Sequence, residues 1–216
     1  IVVRENSEGL HVGKEQSDGE TAVAQRIVTR KASKKIGQKA SELVQQLNRR
    51  KVTVVHKANV LPLTDGLFRD TVRQEIERLS PATEIDELLV DVAALKMVAS
   101  PESFDVIVTT NLFGDILSDA AAHWGGGLGL AASRNWGNGL AIAEPVHGSA
   151  PDIAGQGIAN PLAAVLSTAL LARFVWNLGD VASRLETAVQ QTLATEIYPQ
   201  LTTTRAIQQA VLDSLA

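Results

Sequence analysis

The chain contains, between residues 51 and 57, the stretch Lys51-Val52-Thr53-Val54-Val55-His56-Lys57. Its β-branched residues and alternating pattern predict a strand over residues 51–56, directly followed by a lysine. A helical pattern covers residues 65–79, and two further strand patterns cover residues 85–90 and 105–109. Because strands alternate with helices, we expect an α/β fold with a mostly parallel sheet. Catalytic groups are then expected at the carboxyl ends of the strands.

The remaining segments are predicted from the same periodicities. A strand is expected at residues 1–4, a long helix at 22–48, and three helices at 162–178, 181–193 and 205–215. Residues 8–20 are polar and rich in glycine, and we interpret them as a projecting arm. The chain opens on the β-branched run Ile1-Val2-Val3 without an initiator methionine. We therefore expect it to be a fragment of a longer protein.

Composition narrows the classes of partner. The 216 residues, 45% of them hydrophobic, are enough for a core in one or two domains. A net charge of −4 offers no basic surface, so no nucleic-acid partner is expected. The chain has no cysteine, which excludes disulfides and thiolate metal sites. The apolar stretch at residues 163–175 is too short for a membrane span, so we expect a cytoplasmic or organelle-matrix protein.

Two aspartates one helical turn apart lie in an otherwise apolar segment, Asn111-Leu112-Phe113-Gly114-Asp115-Ile116-Leu117-Ser118-Asp119. If the segment is helical, Asp115 and Asp119 project from one face and bring their carboxylates together. Like charges at this spacing repel each other, and a hard cation such as Mg²⁺ or Mn²⁺ relieves the repulsion. The sequence therefore predicts half of a metal site. The alternative is a solvated acidic helix face.

Three polar residues follow predicted strand ends. Lys57 and Asn59 come directly after the strand at residues 51–56, and Asp91 follows the strand at residues 85–90. A lysine that enters a cleft there is a candidate general base, and its alternative is an ordinary surface lysine. Asp91 is a candidate functional carboxylate, and its alternative is a cap for a following helix.

Residues 144–161 form a stretch dense in glycine, proline and hydrogen-bonding side chains, which we interpret as a ligand-binding loop. Glycine lets a backbone approach a ligand closely, and an aspartate on such a loop can accept hydrogen bonds from both hydroxyls of an adenosine ribose. The alternative is an ordered, turn-rich connection. The nearby Gly125-Gly126-Gly127-Leu128-Gly129 lacks the spacing of a dinucleotide fingerprint and is interpreted as a tight turn.

These residues together resemble the β-decarboxylating dehydrogenases, the family of isocitrate, homoisocitrate, 3-isopropylmalate and tartrate dehydrogenases. The resemblance covers nearly the whole chain in family order. It is carried by Val3-Arg4-Glu5-Asn6-Ser7-Glu8-Gly9, Lys57-Ala58-Asn59-Val60, Asn111-Leu112-Phe113-Gly114-Asp115 and His147-Gly148-Ser149-Ala150-Pro151-Asp152.

The resemblance implies an isopropylmalate/isocitrate dehydrogenase-like fold and a homodimer with shared active sites. Residues 1–125 would form the small domain, including the intersubunit arm at about residues 8–20, and residues 126–216 would form the C-terminal part of the large cofactor-binding domain. Arg4 would bind a substrate carboxylate with Asn59 nearby, and Lys57 would be the base. Asp91, Asp115 and Asp119 would bind Mg²⁺ or Mn²⁺. The cofactor would be bound by Glu144, His147, Gly148, Asp152, Ile153 and Asn160.

The implied reaction is oxidative decarboxylation of a 3-substituted malate, with homoisocitrate favoured over isocitrate and 3-isopropylmalate. NAD is the expected cofactor, because the Asp152 carboxylate would repel the 2′-phosphate of NADP. The chain has His11 where the family carries a protonating tyrosine, and a histidine can donate a proton near neutral pH. Residues 192–204 also lack the glycines of the family's longer loop. A noncatalytic regulatory or assembly subunit is the alternative function.

Overall fold

A computed structural model describes residues 1–137 and 139–215. The chain divides into two compact units, Ile1–Ala121 and Ala122–Ala216. The strands are β1 (Val2–Arg4), β2 (Glu15–Ser17), β3 (Ala22–Ala24), β4 (Lys51–His56), β5 (Glu84–Leu89), β6 (Val106–Thr109), β7 (Ala132–Trp136) and β8 (Ala141–Pro145). The helices are α1 (Arg30–Gln46), α2 (Thr64–Leu79), α3 (Val90–Ala99), α4 (Asn111–Trp124), α5 (Leu162–Phe174), α6 (Gly179–Ala194) and α7 (Thr204–Leu215).

The first unit is built on a four-stranded parallel sheet in the order β1-β6-β4-β5, which confirms the predicted α/β class. Strands β4 and β6 are central and almost fully buried, as expected for Val-rich strands covered on both faces. The register places Arg4 beside Thr109, Thr109 beside Val55, and His56 beside Leu89. The carboxyl ends of all four strands therefore lie along one edge of the sheet.

The predicted long helix at residues 22–48 is wrong in its first part. Helix α1 begins only after Thr29, whose hydroxyl accepts a hydrogen bond from the Ala32 N–H at 3.1 Å and caps the helix. Ala22–Ala24 instead forms β3, which pairs with β2 in an antiparallel hairpin. All six residues of this hairpin's strands are exposed. The polar stretch therefore contains a strand, β2. Pairing with β2 stabilises Ala22–Ala24 as a strand despite the weak helical pattern of these three residues.

The second unit contains the antiparallel hairpin β7-β8 and the helices α5, α6 and α7. A buried cluster formed by Leu162, Ala188, Val189, Ile207 and Val211 joins the three helices. The hairpin was not predicted, because its strands lack a clear apolar alternation. Helix α5 ends at Phe174, earlier than predicted, and Asn177 adopts a left-handed φ of 55° soon after. Across residues 1–137 and 139–215, none of the helices is long and apolar enough to cross a membrane.

Candidate active site

Arg4, at the end of β1, reaches the first turn of α4. Its Nε and one terminal nitrogen donate to Asn111 Oδ1 at 3.1 and 2.7 Å, and the other terminal nitrogen donates to Asp115 Oδ1 at 2.6 Å. Asn111 is 2% exposed, and its Nδ2 donates to the Glu8 carbonyl oxygen at 2.8 Å. Asn111 therefore orients the guanidinium that the sequence predicts to hold a substrate carboxylate. This role of Asn111 is not predictable from local sequence patterns, because the contact joins residues 107 positions apart.

Gly114 explains how α4 can approach Arg4 so closely. A Cβ atom at Gly114 would lie 2.5 Å from Arg4 Cγ and 2.8 Å from Arg4 Cβ. Those distances are far below van der Waals contact, so only glycine fits here without a shift of β1 or α4.

Two buried glutamates organise the loop after β1. Glu5 Oε1 accepts a hydrogen bond from the Ser7 N–H at 2.7 Å, and Glu8 Oε1 accepts one from the Thr29 N–H at 2.6 Å. Both carboxylates accept hydrogen bonds from backbone N–H groups that would otherwise be unpaired. This fixed loop carries the Glu8 carbonyl that holds Asn111.

Lys57 directly follows β4, as predicted, and its Nζ donates to Asp91 Oδ1 at 2.5 Å. This hydrogen bond is the main reason that the pKa of Asp91 lies below its usual value. Asp91 lies in the first turn of α3, whose N-cap position is Leu89. The alternative role of Asp91 as the helix cap is therefore wrong. Asn59 lies two residues beyond Lys57, in the turn between β4 and α2.

His56, the last residue of β4, is 5% exposed. Its Nδ1 accepts a hydrogen bond from the Ala58 N–H at 3.1 Å, which ties the Lys57 turn to the strand. Burial lowers the pKa of His56 below its ordinary value, against the opposing effect of the Glu87 carboxylate. The neutral imidazole is the form that can accept from Ala58.

Asp119 is exposed on α4 one turn after Asp115, so the helix on which their predicted pairing depends is present. No group of three or more acidic or histidine side chains within the described part of this chain could hold a metal ion. Asp91 contacts Lys57 rather than the pair on α4. A single chain thus provides two carboxylates and an arginine on α4 and β1, and a lysine–aspartate pair further along the same sheet edge.

His11 lies in a short 3-10 turn, Leu10–Val12, and its side chain is exposed. Its position in the stretch predicted as the arm places it between the buried Glu8 loop and the β2-β3 hairpin along the chain.

The predicted cofactor residues lie in the second unit. Glu144 belongs to β8, not to the loop, and accepts a hydrogen bond from Asn135 Nδ2 at 3.0 Å. His147 and Gly148 are exposed, and nothing lies within 4 Å of a Cβ placed on Gly148. Asp152 and Ile153 lie in the 3-10 turn Pro151–Ile153, and the Asp152 carboxylate is exposed.

Asn160 lies two residues before the first residue of α5. Its Oδ1 accepts from the Leu162 N–H at 3.0 Å, and its Nδ2 donates to the Tyr198 hydroxyl at 3.1 Å. Gly129 packs closely against it, since an added Cβ would lie 3.1 Å from Asn160 Nδ2. Tyr198 was not predicted as part of the site. It comes from residues 192–204, the segment that differs from the family pattern in the sequence.

A family model described as isocitrate/isopropylmalate dehydrogenase matches residues 1–210. The isocitrate/homoisocitrate dehydrogenase of Thermus thermophilus is 48% identical over 221 residues, covering 100% of this chain and 65% of that protein. The 3-isopropylmalate dehydrogenase of Methanothermobacter thermautotrophicus is 50% identical over 194 residues, covering 90% and 58%. A crystal structure of isocitrate dehydrogenase from Methylococcus capsulatus matches with a TM-score of 0.91 at 42% identity, covering 99% and 66%.

The solved structure confirms the predicted isocitrate dehydrogenase-like α/β fold. The chain belongs to the isocitrate/isopropylmalate dehydrogenase family, as its resemblance indicated. The matching relatives are named as dehydrogenases of isocitrate, homoisocitrate or 3-isopropylmalate, and one of them, a probable isocitrate dehydrogenase subunit of Drosophila melanogaster, has NAD in its name. The chain spans 65% of the length of the Thermus relative.

Proposed function

We propose that the chain is the catalytic part of an NAD-dependent dehydrogenase that oxidises and decarboxylates a 3-substituted malate with the help of Mg²⁺ or Mn²⁺. One observation carries the proposal: Arg4, Lys57, Asp91 and Asp115 all lie at the carboxyl edge of the same parallel sheet. An anion-binding fork, an amine and hard oxygen donors are the groups that this reaction requires.

The chemistry assigned to these side chains is as follows. Arg4 pairs with a substrate carboxylate through its planar guanidinium. Lys57 Nζ takes the proton of the substrate hydroxyl while the hydrogen on the same carbon leaves as hydride. The bond from the adjacent carbon to its carboxylate then breaks with release of CO₂, and His11 donates a proton to the carbon that keeps the electron pair. When bound, NAD⁺ supplies the hydride acceptor and the metal ion supplies Lewis-acid stabilisation of negative charge.

The donor set on α4 fits a divalent ion. Asp115 and Asp119 are exposed, one helical turn apart, and offer carboxylate oxygens, which Mg²⁺ and Mn²⁺ prefer. None of the described residues forms an ion pair with Asp119, so its charge is available. We assign the third carboxylate to Asp91 of a second copy of the chain.

The loop of residues 146–161 fits the adenosine end of NAD. His147, Gly148 and Asp152 are exposed, and Ala150 adopts a left-handed φ of 44° that turns the backbone sharply. The Asp152 carboxylate suits ribose hydroxyls and opposes a phosphate, which favours NAD over NADP. Ile153 and Asn160 would border the adenine, and Glu144 would approach the nicotinamide ribose.

A homodimer is supported by the apolar surface of the first unit. Helix α3 exposes Val92, Leu95 and Val98, and α4 exposes Ile116, with Leu95 and Val98 each 69% exposed. Large apolar side chains grouped in this way are typical of a protein interface. We propose that this face pairs with its copy, that the β2-β3 hairpin is the intersubunit arm, and that Lys57 and Asp91 act in the neighbouring site.

The proposed substrate is homoisocitrate, followed by isocitrate and 3-isopropylmalate. The relatives that are about half identical to this chain over their aligned residues carry all three of these substrates in their names, so a panel of substrates is required. The test is Mn²⁺-dependent formation of NADH by the full-length protein with each malate in turn.

Two variants make that assay specific for the site. Lys57→Ala should lower kcat by at least about 100-fold, because a general base contributes that much or more. Lys35→Ala, which removes an exposed lysine on α1, should leave kcat unchanged. If the parent protein turns over none of the malates, the proposed dehydrogenase is contradicted and a regulatory or assembly role is supported instead.

A further inference from the structure

Asp65 is a fully buried carboxylate that has no part in the proposed chemistry. It lies in the first turn of α2 and is 0% exposed. Its Oδ2 accepts a hydrogen bond from the backbone N–H of Lys57 at 2.7 Å. Its Oδ1 lies 2.6 Å from a terminal nitrogen of Arg26. The carboxylate therefore joins the backbone of the proposed base to a second buried charge.

Arg26 extends this connection to α4. It follows β3, and its side chain is only 12% exposed. The guanidinium donates to Thr110 Oγ1 at 3.0 Å and lies 4.8 Å from the centre of the Phe113 ring. Thr110 directly precedes Asn111, which orients Arg4. One ion pair thus contacts both the turn that carries Lys57 and the start of the helix that carries the metal carboxylates.

Stability alone does not account for such a pair. A buried ion pair can often be replaced by apolar residues of similar volume without loss, because desolvation offsets the attraction between the charges. The Asp65 carboxylate instead fixes the orientation of the turn, because it accepts a hydrogen bond from the Lys57 N–H. His56 accepts one from the Ala58 N–H in the same turn. A turn held at two successive donors presents its lysine in a defined direction.

We propose that Asp65 and Arg26 are positioning residues for Lys57: the ion pair fixes the backbone turn from which the base is presented to the neighbouring subunit's site. This inference rests on the proposed function, in which Lys57 removes the hydroxyl proton. It assigns no direct contact with substrate to either residue. Misplacing the amine should lower the rate of the chemical step more than the binding of NAD⁺.

The test compares two double variants of the full-length protein in the same background. Arg26→Met with Asp65→Asn removes both charges but keeps an oxygen that can accept from Lys57. Arg26→Met with Asp65→Leu has the same shape without that acceptor, and its apolar character favours folding. We expect kcat of the leucine variant to be lower than that of the asparagine variant by about tenfold or more. The KM for NAD⁺ should differ between them by less than about twofold, because the cofactor loop lies elsewhere in the chain.

Hydrogen exchange supplies a readout that does not depend on turnover. The Lys57 amide should exchange faster in the leucine variant than in the asparagine variant, because its acceptor is gone. Val72→Ala is the control for lost stability, since it opens a cavity at a fully buried position of α2 and should leave kcat unchanged. Should the leucine variant not fold, Asp65→Ala in the same background takes its place.

The outcomes separate the two proposals. Equal kcat values in the two double variants, in a protein whose parent is active, overturn the positioning role and leave the proposed function standing. A fall in kcat matched by the Val72→Ala control also overturns it. A parent that turns over none of the malates contradicts the proposed function itself.

Discussion

Gly114→Ala is expected to disturb Arg4 although it adds a single methyl group. The new Cβ would lie 2.5 Å from Arg4 Cγ and 2.8 Å from Arg4 Cβ. The positions of the new Cβ and of Arg4 Cβ are both set by the backbone, so a change of the Arg4 rotamer cannot relieve the contact between them. The Arg4 stem must move away from α4, and the hydrogen bonds from its guanidinium to Asn111 must lengthen or break.

The magnitude follows from the contacts that are lost. Hydrogen bonds that involve a charged group contribute about 1.5–3 kcal/mol, which applies to the Arg4–Asn111 contact. The more exposed Arg4–Asp115 pair adds at most about 1 kcal/mol. Alanine gains about 1 kcal/mol over glycine in a helix. The free energy of unfolding should therefore fall by about 1–3 kcal/mol.

Gly66→Ala provides the matched control. Gly66 is also buried in the first turn of a helix, α2, but nothing lies within 4 Å of a Cβ placed there. This variant should be more stable than the parent by up to about 1 kcal/mol. The measurement is unfolding in urea, monitored by hydrogen exchange of peptides from β1 and α4, so that the first unit is observed directly.

The KM for the malate provides a second measurement. If Arg4 binds a substrate carboxylate, Gly114→Ala should raise this KM about tenfold, equivalent to a loss of about 1.4 kcal/mol of binding. Gly66→Ala should leave it unchanged. If Gly114→Ala is as stable as Gly66→Ala and its KM for the malate is unaltered, the close approach of Arg4 to α4 contributes neither to stability nor to substrate binding.

Four further changes test other contacts. Burial lowers the pKa of His56 in the folded protein, so the unfolded chain takes up the proton first as the pH falls. The free energy of unfolding should therefore decrease below about pH 6.5, by at most about 1.4 kcal/mol per pH unit for this one group. In urea unfolding, His56→Gln should reduce this dependence on pH. Asp119→Asn should raise the Mn²⁺ concentration for half-maximal activity, with kcat at saturating Mn²⁺ less affected. Tyr198→Phe should weaken binding of NADH, measured by titration, by about two- to tenfold, because Asn160 loses one partner. Leu95→Glu should shift the protein toward a monomer in analytical ultracentrifugation, and an unchanged dimer would exclude α3 from the interface.

The parallel sheet could be predicted from the sequence because its signals are local. Residues 51–56 carry β-branched side chains in alternation, and the structure has β4 at Lys51–His56. The segment at residues 22–24 was assigned to a helix because alanine and valine fit both states. Its strand pairing depends on β2 across a turn, in which Asp18 Oδ1 accepts from the N–H groups of Glu20 and Thr21 at 3.0 and 2.7 Å. That information is not contained in the periodicity of either segment.

The candidate site divides in the same way. Lys57 could be named because it follows a recognisable strand, and Asp115 because it lies one helical turn from Asp119 in an apolar segment. Asn111 and Asp65 could not be assigned roles, because their function depends on contacts with Arg4 and Arg26 that are distant in sequence. A buried Asp in the first turn of a helix is commonly interpreted as a favourable charge near the helix dipole. Only the three-dimensional structure distinguishes that role from support of the Lys57 turn.

The division into two compact units has an optical consequence. Trp124, Trp136 and Trp176 are the three tryptophans of the chain, and all of them lie in the unit Ala122–Ala216. The sheet that carries Arg4 and Lys57 contains no tryptophan, whereas Trp124 ends α4, so intrinsic fluorescence reports chiefly on residues 122–216. Fluorescence and far-ultraviolet circular dichroism recorded on one urea series would coincide if the units unfold together and separate if each unfolds alone.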